Sequence, residues 1–273
     1  MERACRFAIL SIARAGSALL AEQLDAHPQV VCEGEIFHPQ PQHQLSLRAL
    51  NTVDLSDRHS RPARYVAAVL ESAAGSAKAV GFRYLPNRND AAERHILLDR
   101  SIRKVVLIRH NLLAAYASHK LALSRDVWTR RRSEVSSGYE APRKQPDEER
   151  VPFVAEEFQA YCRQAGDVYG RYLSTLVATG QPVKVLSYCD VVQRCLAPLF
   201  RYLGVDENAW PQERDNTRVK IGSPDVASRF SNPGHACECM IECGHRDWLI
   251  EQPPDSVLGF GEELDRLAAR PTL

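Results

Sequence analysis

The chain has 273 residues, 44% of them apolar, and a formal net charge of +1. That is enough apolar sequence for a sizeable core, and the near-neutral charge gives no compositional support for nucleic-acid binding. No apolar run approaches the ~20 residues of a membrane-spanning helix, and the short run near the start, interrupted by Arg14, has no export pattern. A cytoplasmic protein with reduced thiols is therefore expected, and its eight cysteines have no disulfide-framework spacing.

Phe7 to Ile12 is a short apolar run that reads as a buried strand. It ends in a small-residue turn, Ala13-Arg14-Ala15-Gly16-Ser17. A helical pattern follows, with Leu19, Leu20, Gln23 and Leu24 on one face, and Asp25-Ala26-His27-Pro28 stops it. Strand, small-residue turn and helix form a geometry that binds anions. The first N–H groups of a helix lack intrahelical partners and sit at the positive end of its dipole. Gly16 permits close backbone approach, Ser17 adds a hydroxyl and Arg14 a charged donor. A second strand, Val30-Val31-Cys32, leads to Glu33 and Glu35, so one βαβ-type unit is expected to supply both an anion cradle and a carboxylate. Neither G-x-x-x-x-G-K-[ST] nor G-x-G-x-x-G is present, which disfavours a Mg-nucleoside triphosphatase.

Residues 40–44 read as a polar loop. Residues 62–74 form an amphipathic helix with Tyr65, Val66, Val69 and Leu70 inward, and Lys78 to Arg83 a short strand. Residues 102–109, IRKVVLIR, are the strongest internal strand, with the continuous apolar run of a parallel strand buried on both faces. Arg109-His110-Asn111 follows, then a helix over 112–123 that carries Ser118. A strand-end Arg and a hydroxyl on the next helix can reach one phosphate, and ligands of open parallel sheets sit at the carboxyl ends of strands. Residues 125–150 are charged, with Gly138, Pro142 and Pro146, and read as a mobile insertion in which Trp128 and Tyr139 are candidates to stack on an acceptor. A helix over 153–178 has an inward stripe of Phe153, Val154, Phe158, Tyr161, Ala165, Tyr169 and Leu173. Residues 183–187 are a strand. His235, Cys237, Cys239, Cys243 and His245 could supply four zinc ligands, but their spacing is unlike C-x2-C pairs, and a helix with buried thiols is the favoured reading.

RAGSALL…LDAHPQVVCEGEIF resembles the 5′-phosphosulfate loop of sulfotransferases that use 3′-phosphoadenosine 5′-phosphosulfate, and LIRHNLLAAYASHKLA resembles their 3′-phosphate motif, R-x-N-L-L-x-x-Y-x-S. The likeness is to the bacterial carbohydrate-type enzymes, and the chain is also similar to the tyrosylprotein sulfotransferases. It departs at Ala15 and Ala18, where hydroxyl residues are usual. Lys78 to Arg83 is similar to the strand ending in Gly-Phe-Lys near the acceptor pocket, which makes Arg83 a candidate cation there. Tyr188-Cys189-Asp190 is similar to the family's Tyr-Glu-Asp, with Cys189 in place of Glu.

The resemblance implies a P-loop-like three-layer α/β fold, a central parallel sheet flanked by helices, as a single domain over 1–273, with residues 206–273 the least assignable part. It implies sulfuryl transfer to a hydroxyl or amine of a small-molecule or carbohydrate acceptor, without a metal. Arg14, Ala15, Gly16, Ser17, Ala18 and Leu19 would hold the phosphosulfate, and Arg109 and Ser118 the 3′-phosphate. Arg218 and Lys220 would lie in a late basic loop that closes over the ribose phosphate. Arg14 would also stabilise the leaving phosphate, and Glu35 would be the general base, with Glu33 and His38 as runners-up; Glu33 has the alternative of being a solvated strand-end carboxylate. A P-loop-like metabolite kinase stays open, as does a catalytically impaired sulfotransferase-like binding protein; Ala15 and Ala18 keep the second open.

Overall fold

The computed structural model describes residues 4–40, 42, 44–75, 77–125, 150–211 and 223–251. Arg218 and Lys220, the aromatic candidates Trp128 and Tyr139, and nearly all of the charged insertion lie outside the described residues. The chain divides into two compact units, Met1–Ile108 with Val168–Gln212 and Arg109–Asp167 with Glu213–Leu273.

The first unit holds five strands: β1 (Cys5–Leu10), β2 (Val30–Glu35), β3 (Ala79–Tyr84), β4 (Ile102–Ile108) and β5 (Val183–Ser187). They form one sheet in the order β2-β3-β1-β4-β5, and every neighbouring pair is parallel. This is the expected α/β fold with a central parallel sheet. The apolar runs that fill β1 and β4 suit strands covered on both faces. Phe7 and Ile9 of β1 join one core layer with Leu20 and Leu24 of α1 (Ser17–Asp25), Val191 of α8 (Tyr188–Val192), and Leu199 and Phe200 of α9 (Ala197–Leu203). By strand alternation Ala8 and Leu10 point to the other face. That layer is built from α4 (Pro62–Ala74), α5 (Asp90–Leu98) and the last part of α7 (Ala155–Ala178), whose Tyr169 hydroxyl donates to the Leu107 carbonyl at 2.9 Å. Two short helices, α2 (Leu47–Leu50) and α3 (Asp57–Ser60), precede α4.

Handedness explains the layering. Parallel crossovers are right-handed, so connections that run in opposite directions along the sheet leave their helices on opposite faces. From β1 the chain moves through α1 toward the β2 edge, whereas from β4 it moves to β5 at the other edge. β1 and β4 are neighbours, so the sheet has its topological switch point between their carboxyl ends. β3 lies between β1 and β2. Within that βαβ-type unit, Glu35 at the end of β2 is therefore two strand spacings, ~9–10 Å, from β1.

The second unit contains α6 (Leu112–Arg125), the start of α7, and α10 (Pro233–Glu242). Its core is aromatic. Tyr116 lies 5.4 Å from Phe158 between ring centroids, and Phe153 lies 5.3 Å from Phe230. Asn232 ties the two chain segments together: its side chain accepts from Phe153 N at 2.8 Å and donates to Phe153 O at 3.0 Å. The α7 stripe drifts from the predicted one. Phe153, Phe158, Ala165 and Tyr169 are buried, but Val168, Tyr172 and Leu176 take over where Leu173 is only half-buried. A period of 3.6 residues walks a seven-residue pattern around a helix this long.

Lys104 is the unexpected member of the sheet core. It is fully buried, and Nζ donates to the Asp99 carbonyl at 2.5 Å and to Gln181 Oε1. Burial pulls its pKa from 10.5 down to about 8, against the opposing pull of Asp99. Between those pH values the unfolded chain keeps a proton that the folded chain releases, so this group's contribution to stability rises with pH. In urea unfolding, the stability of wild type relative to Lys104→Met should increase by about 2–3 kcal/mol from pH 8 to pH 10.5, since cysteine and tyrosine titrations common to both proteins cancel. A pH-independent difference would contradict it.

Candidate active site

At the carboxyl end of β1 the chain reverses tightly. The strand stops at Leu10, earlier than the expected Ile12. Arg14 has φ 66° and Gly16 φ 95°, two left-handed residues within three positions. Left-handed backbone suits Gly16 and is strained at Arg14, by about 1 kcal/mol. Gly16 is required twice over, because a Cβ there would lie 2.6 Å from Cδ2 of Tyr188. Tyr188 is held in place by its own helix start: Ser187 Oγ accepts from Asp190 N at 3.1 Å, and Asp190 Oδ2 accepts from Ser187 N at 2.7 Å, a capping box. The Tyr-x-Asp match therefore has a structural meaning, with the Asp fixing the ring that closes over Gly16.

Gly16 starts α1 without any side-chain cap, so the first-turn N–H groups of Ser17, Ala18 and Leu19 have no intrahelical partner. Ser17 is buried, while Arg14, Gly16, Ala18 and Leu19 are half-buried. Ala15 is fully buried and its N–H turns back to the Ile12 carbonyl at 3.4 Å. Sequence reasoning passed over Ser11, which ends fully buried just beyond β1. Among the described residues nothing hydrogen-bonds its hydroxyl.

The two carboxylates after Cys32 part company at a bulge. Glu33 pairs with Phe82 and Glu35 with Arg83, leaving Gly34 as the extra residue. Phe82 and Arg83 are successive and face opposite sides, so their partners do too. A Cβ on Gly34 would come within 2.5 Å of the Gln44 carbonyl, to which its N–H donates at 2.8 Å. Glu33 is buried and saturated: Oε1 accepts from Ser46 Oγ and Oε2 from Ser46 N, each at 2.7 Å, and Ser46 Oγ in turn caps α2. It is neither solvated nor poised as a base.

Glu35 is also buried, but only Oε1 is engaged, by Arg88 Nε at 2.7 Å; Oε2 takes no hydrogen bond among the described residues. Gln44 Oε1 accepts from Glu35 N at 3.2 Å and from Arg83 Nη2 at 2.8 Å, which brings Arg83 into the same cluster. His38 is half-buried, and its Nδ1 accepts from Gln40 N at 3.1 Å.

In the second unit, Asn111 starts α6. Its Oδ1 accepts from Ala114 N at 2.8 Å, and its Nδ2 donates to the carbonyls of Trp248 at 3.0 Å and Ile250 at 3.2 Å. Arg109 and Ser118 are buried at the two ends of the R-x-N-L-L-x-x-Y-x-S match. Arg109 Nη2 donates to Glu251 Oε1 at 2.5 Å, and Arg229 Nη2 donates to Glu251 Oε2. Arg229 and Glu251 were not singled out from sequence, and no local pattern marks them.

The Cys/His cluster does not converge. Among the described residues no group of three or more His, Cys, Asp or Glu is placed to hold a metal. His235 packs edge-on against Phe153 at 5.6 Å, and His245 stacks on Trp248 at 4.0 Å. Only Cys239 is buried; Cys237 is half-buried and Cys243 exposed, which narrows the expectation of buried thiols to one. Burial, and then the neighbouring Cys243, push the Cys239 thiol up to about 11.

Glu33 and Glu35 therefore differ in what they stabilise. Glu33→Ala strands two buried donors of Ser46 and should cost about 2–3 kcal/mol in urea unfolding, whereas Glu35→Gln keeps an acceptor for Arg88 and should cost less than about 1 kcal/mol. Equal losses would contradict this division.

No family model matches the chain, and no curated protein matches it. Solved structures do. A sulfotransferase domain from the curacin biosynthetic pathway superposes with a TM-score of 0.50 at 17% identity, covering 99% of this chain and 99% of its own. A sulfotransferase from Alicyclobacillus acidocaldarius gives a TM-score of 0.46 at 15% identity, covering 93% and 98%. Mouse SULT7A1, solved in complex with PAP, gives 0.41 at 11% identity, covering 91% and 88%. At these identities the likeness concerns architecture: the chain has the α/β fold of a sulfotransferase domain.

Proposed function

We propose that the protein is a sulfotransferase that moves a sulfuryl group from 3′-phosphoadenosine 5′-phosphosulfate to a hydroxyl, or an amine, of a small-molecule or carbohydrate acceptor. The observation that carries this reading is the uncapped start of α1 beside Arg14, at the sheet's switch point, where the sequence resembles the phosphosulfate loop. The first-turn N–H groups of Ser17, Ala18 and Leu19, together with Gly16 and the Arg14 guanidinium, suit the 5′ end of the donor. Arg109 and Ser118 suit its 3′-phosphate, with Arg218 and Lys220 as further cations. The buried methyl of Ala15 leaves this reading on backbone donors rather than on a hydroxyl at that position.

The donor supplies a sulfuryl group on a phosphate leaving group. As the acceptor oxygen bonds to sulfur, the bond from sulfur to the bridging oxygen breaks, and the electron pair stays on the 5′-phosphate, where Arg14 and the helix N–H groups meet the new charge. The acceptor's proton goes to Glu35. Arg88 orients that carboxylate through Oε1 and leaves Oε2 for the proton. The cluster of Arg83, Gln44 and Glu35 is the side from which an acceptor would approach.

Calorimetric titration should show binding of adenosine 3′,5′-bisphosphate that exceeds binding of adenosine 5′-phosphate, and Arg109→Ala should abolish that preference. With donor and a panel of hydroxylated acceptors, Glu35→Gln should keep the folded state and the donor affinity but lose turnover by about 10²–10⁴-fold. Equal affinity for the two nucleotides would overturn the donor assignment, and near-wild-type turnover in Glu35→Gln would overturn the base.

A further inference from the structure

At the carboxyl ends of β2 and β3 three chain segments are stitched together around Glu35. Arg88, in the connection from β3 to α5, donates to Glu35 Oε1. The next residue, Asn89, caps α5 with Oδ1, which accepts from Ala92 N at 2.9 Å, and its Nδ2 donates to the Arg58 carbonyl at 3.5 Å. Just beyond β2, His38 N donates to the Glu35 carbonyl at 2.9 Å and closes a turn. Arg58, in α3, reaches that same turn, since Nη1 donates to the His38 carbonyl at 2.5 Å. No sequence motif marks Arg58, yet the fold brings it to the turn that bears the proposed base.

Arg88 and Arg58 are used differently. Arg88 spends its Nε on a carboxylate, whereas Arg58 meets neutral groups: the His38 carbonyl and, through Nε, the His59 Nε2 at 3.2 Å. Accepting that bond keeps His59 Nε2 unprotonated. The acidic side chains nearest in sequence are committed elsewhere. Asp57 binds Arg61 at 2.7 Å and Arg64 at 3.1 Å, and Asp54 Oδ1 accepts from Ser56 N at 2.9 Å and Ser56 Oγ at 2.7 Å. Glu33, turned away by the bulge, is taken by Ser46. The Arg58 charge is felt nearby: burial pushes the Tyr65 hydroxyl up to about 12, and Arg58 pulls against it. A guanidinium stays charged and carries five N–H donors in a fixed fork. Two bonds hold this one still while Nη2 makes none among the described residues, and Arg58 is half-buried. The result is an oriented cation with spare donors at the end of the sheet where ligands of parallel sheets sit.

We propose that Arg58 is a specificity-determining residue for the acceptor, and that the acceptor is acidic: besides the hydroxyl or amine that receives the sulfuryl group, it carries a carboxylate, phosphate or sulfate that seats on Nη2 of Arg58. The proposal rests on the sulfotransferase reading with Glu35 as base, and it narrows the acceptor from any hydroxylated or amine-bearing molecule to an anionic one. Such an acceptor is held at two points, its anion on Arg58 and its nucleophile on Glu35 Oε2. Bringing a second negative charge toward Glu35 is made tolerable by the two guanidiniums, Arg88 on Glu35 and Arg58 on the incoming group. A neutral acceptor forfeits the charge-assisted bond to Arg58.

The test uses the full chain saturated with adenosine 3′,5′-bisphosphate, so that the donor's own anion sites are already filled. The arginine Nε–H signals are followed by NMR, with Arg58 assigned from Arg58→Lys, during titration with inorganic sulfate, with 4-hydroxyphenylacetate and with its neutral amide, 4-hydroxyphenylacetamide. The Arg58 signal should move with sulfate and with the acid, and the acid should bind about tenfold tighter than the amide. In Arg58→Gln that preference should disappear while the affinity for the bisphosphate stays as in wild type, with a thermal melt to show that the variant is folded. If Arg58→Gln does not fold, the response of the wild-type Arg58 signal decides alone. An Arg58 signal indifferent to both anions, equal binding of acid and amide, or a preference that survives in Arg58→Gln overturns the proposal and leaves the donor assignment standing. A wild type that fails to prefer the bisphosphate over adenosine 5′-phosphate overturns the sulfotransferase reading, and the acceptor assignment with it.

Discussion

The structure of the first unit depends on one constraint: β1 is covered on both faces and bordered by a parallel strand on each side. Arg6 to Leu10 pair with β3 on one side and β4 on the other, and Phe7, Ala8, Ile9 and Leu10 are all fully buried. Chemistry is possible only where the ladder ends. Because β1 and β4 send the chain toward opposite edges, their carboxyl ends are not covered by a shared crossover. The reversal at Arg14 and Gly16 is what that opening requires of the backbone, and the ring of Tyr188 closes the remaining side so tightly that no side chain fits at Gly16.

A second glycine shows how a backbone irregularity separates two identical side chains. In a regular strand Glu33 and Glu35 would share a face and repel each other. The bulge at Gly34 turns them apart. One carboxylate is consumed by three-residue geometry around Ser46, with both oxygens committed at 2.7 Å, and the other is left with a single guanidinium partner. The distinction between a structural and a reactive carboxylate is thus made by the bulge and the loop at Gln44 that packs on it, not by the residue type.

Much of the scaffold was legible because it follows local rules. The apolar run of β4, the amphipathic period of α4 and the order of strands and helices survive in the structure within a residue or two. The strand–turn–helix at Arg14 was readable for the same reason: its pieces are contiguous. What was not legible is set by partners far away in the chain. The insertion of β3 between β1 and β2 depends on which long connection crosses where, which no period reports. Asn111 was open to reading as a helix cap, but the use of its amide nitrogen by the carbonyls of Trp248 and Ile250 was not. The Arg109–Glu251 pair spans 142 residues, and an exposed-looking Glu in a motif-free stretch carries no mark of it.

Buried charge sets the tone of both units, and the two solve it differently. Lys104 is a cation in the sheet core whose hydrogen-bond acceptors among the described residues are neutral, the Asp99 carbonyl and Gln181, and it responds by giving up its proton more readily. Arginine lacks that escape, because a guanidinium stays charged at any pH at which the chain is folded. A pair of buried arginines must instead be met by an anion, and Glu251 gives one carboxylate oxygen to each. Neutralising Glu251 would take a hydrogen-bonded carboxylate away from both guanidiniums at once, so Arg109 and Arg229 are coupled through it.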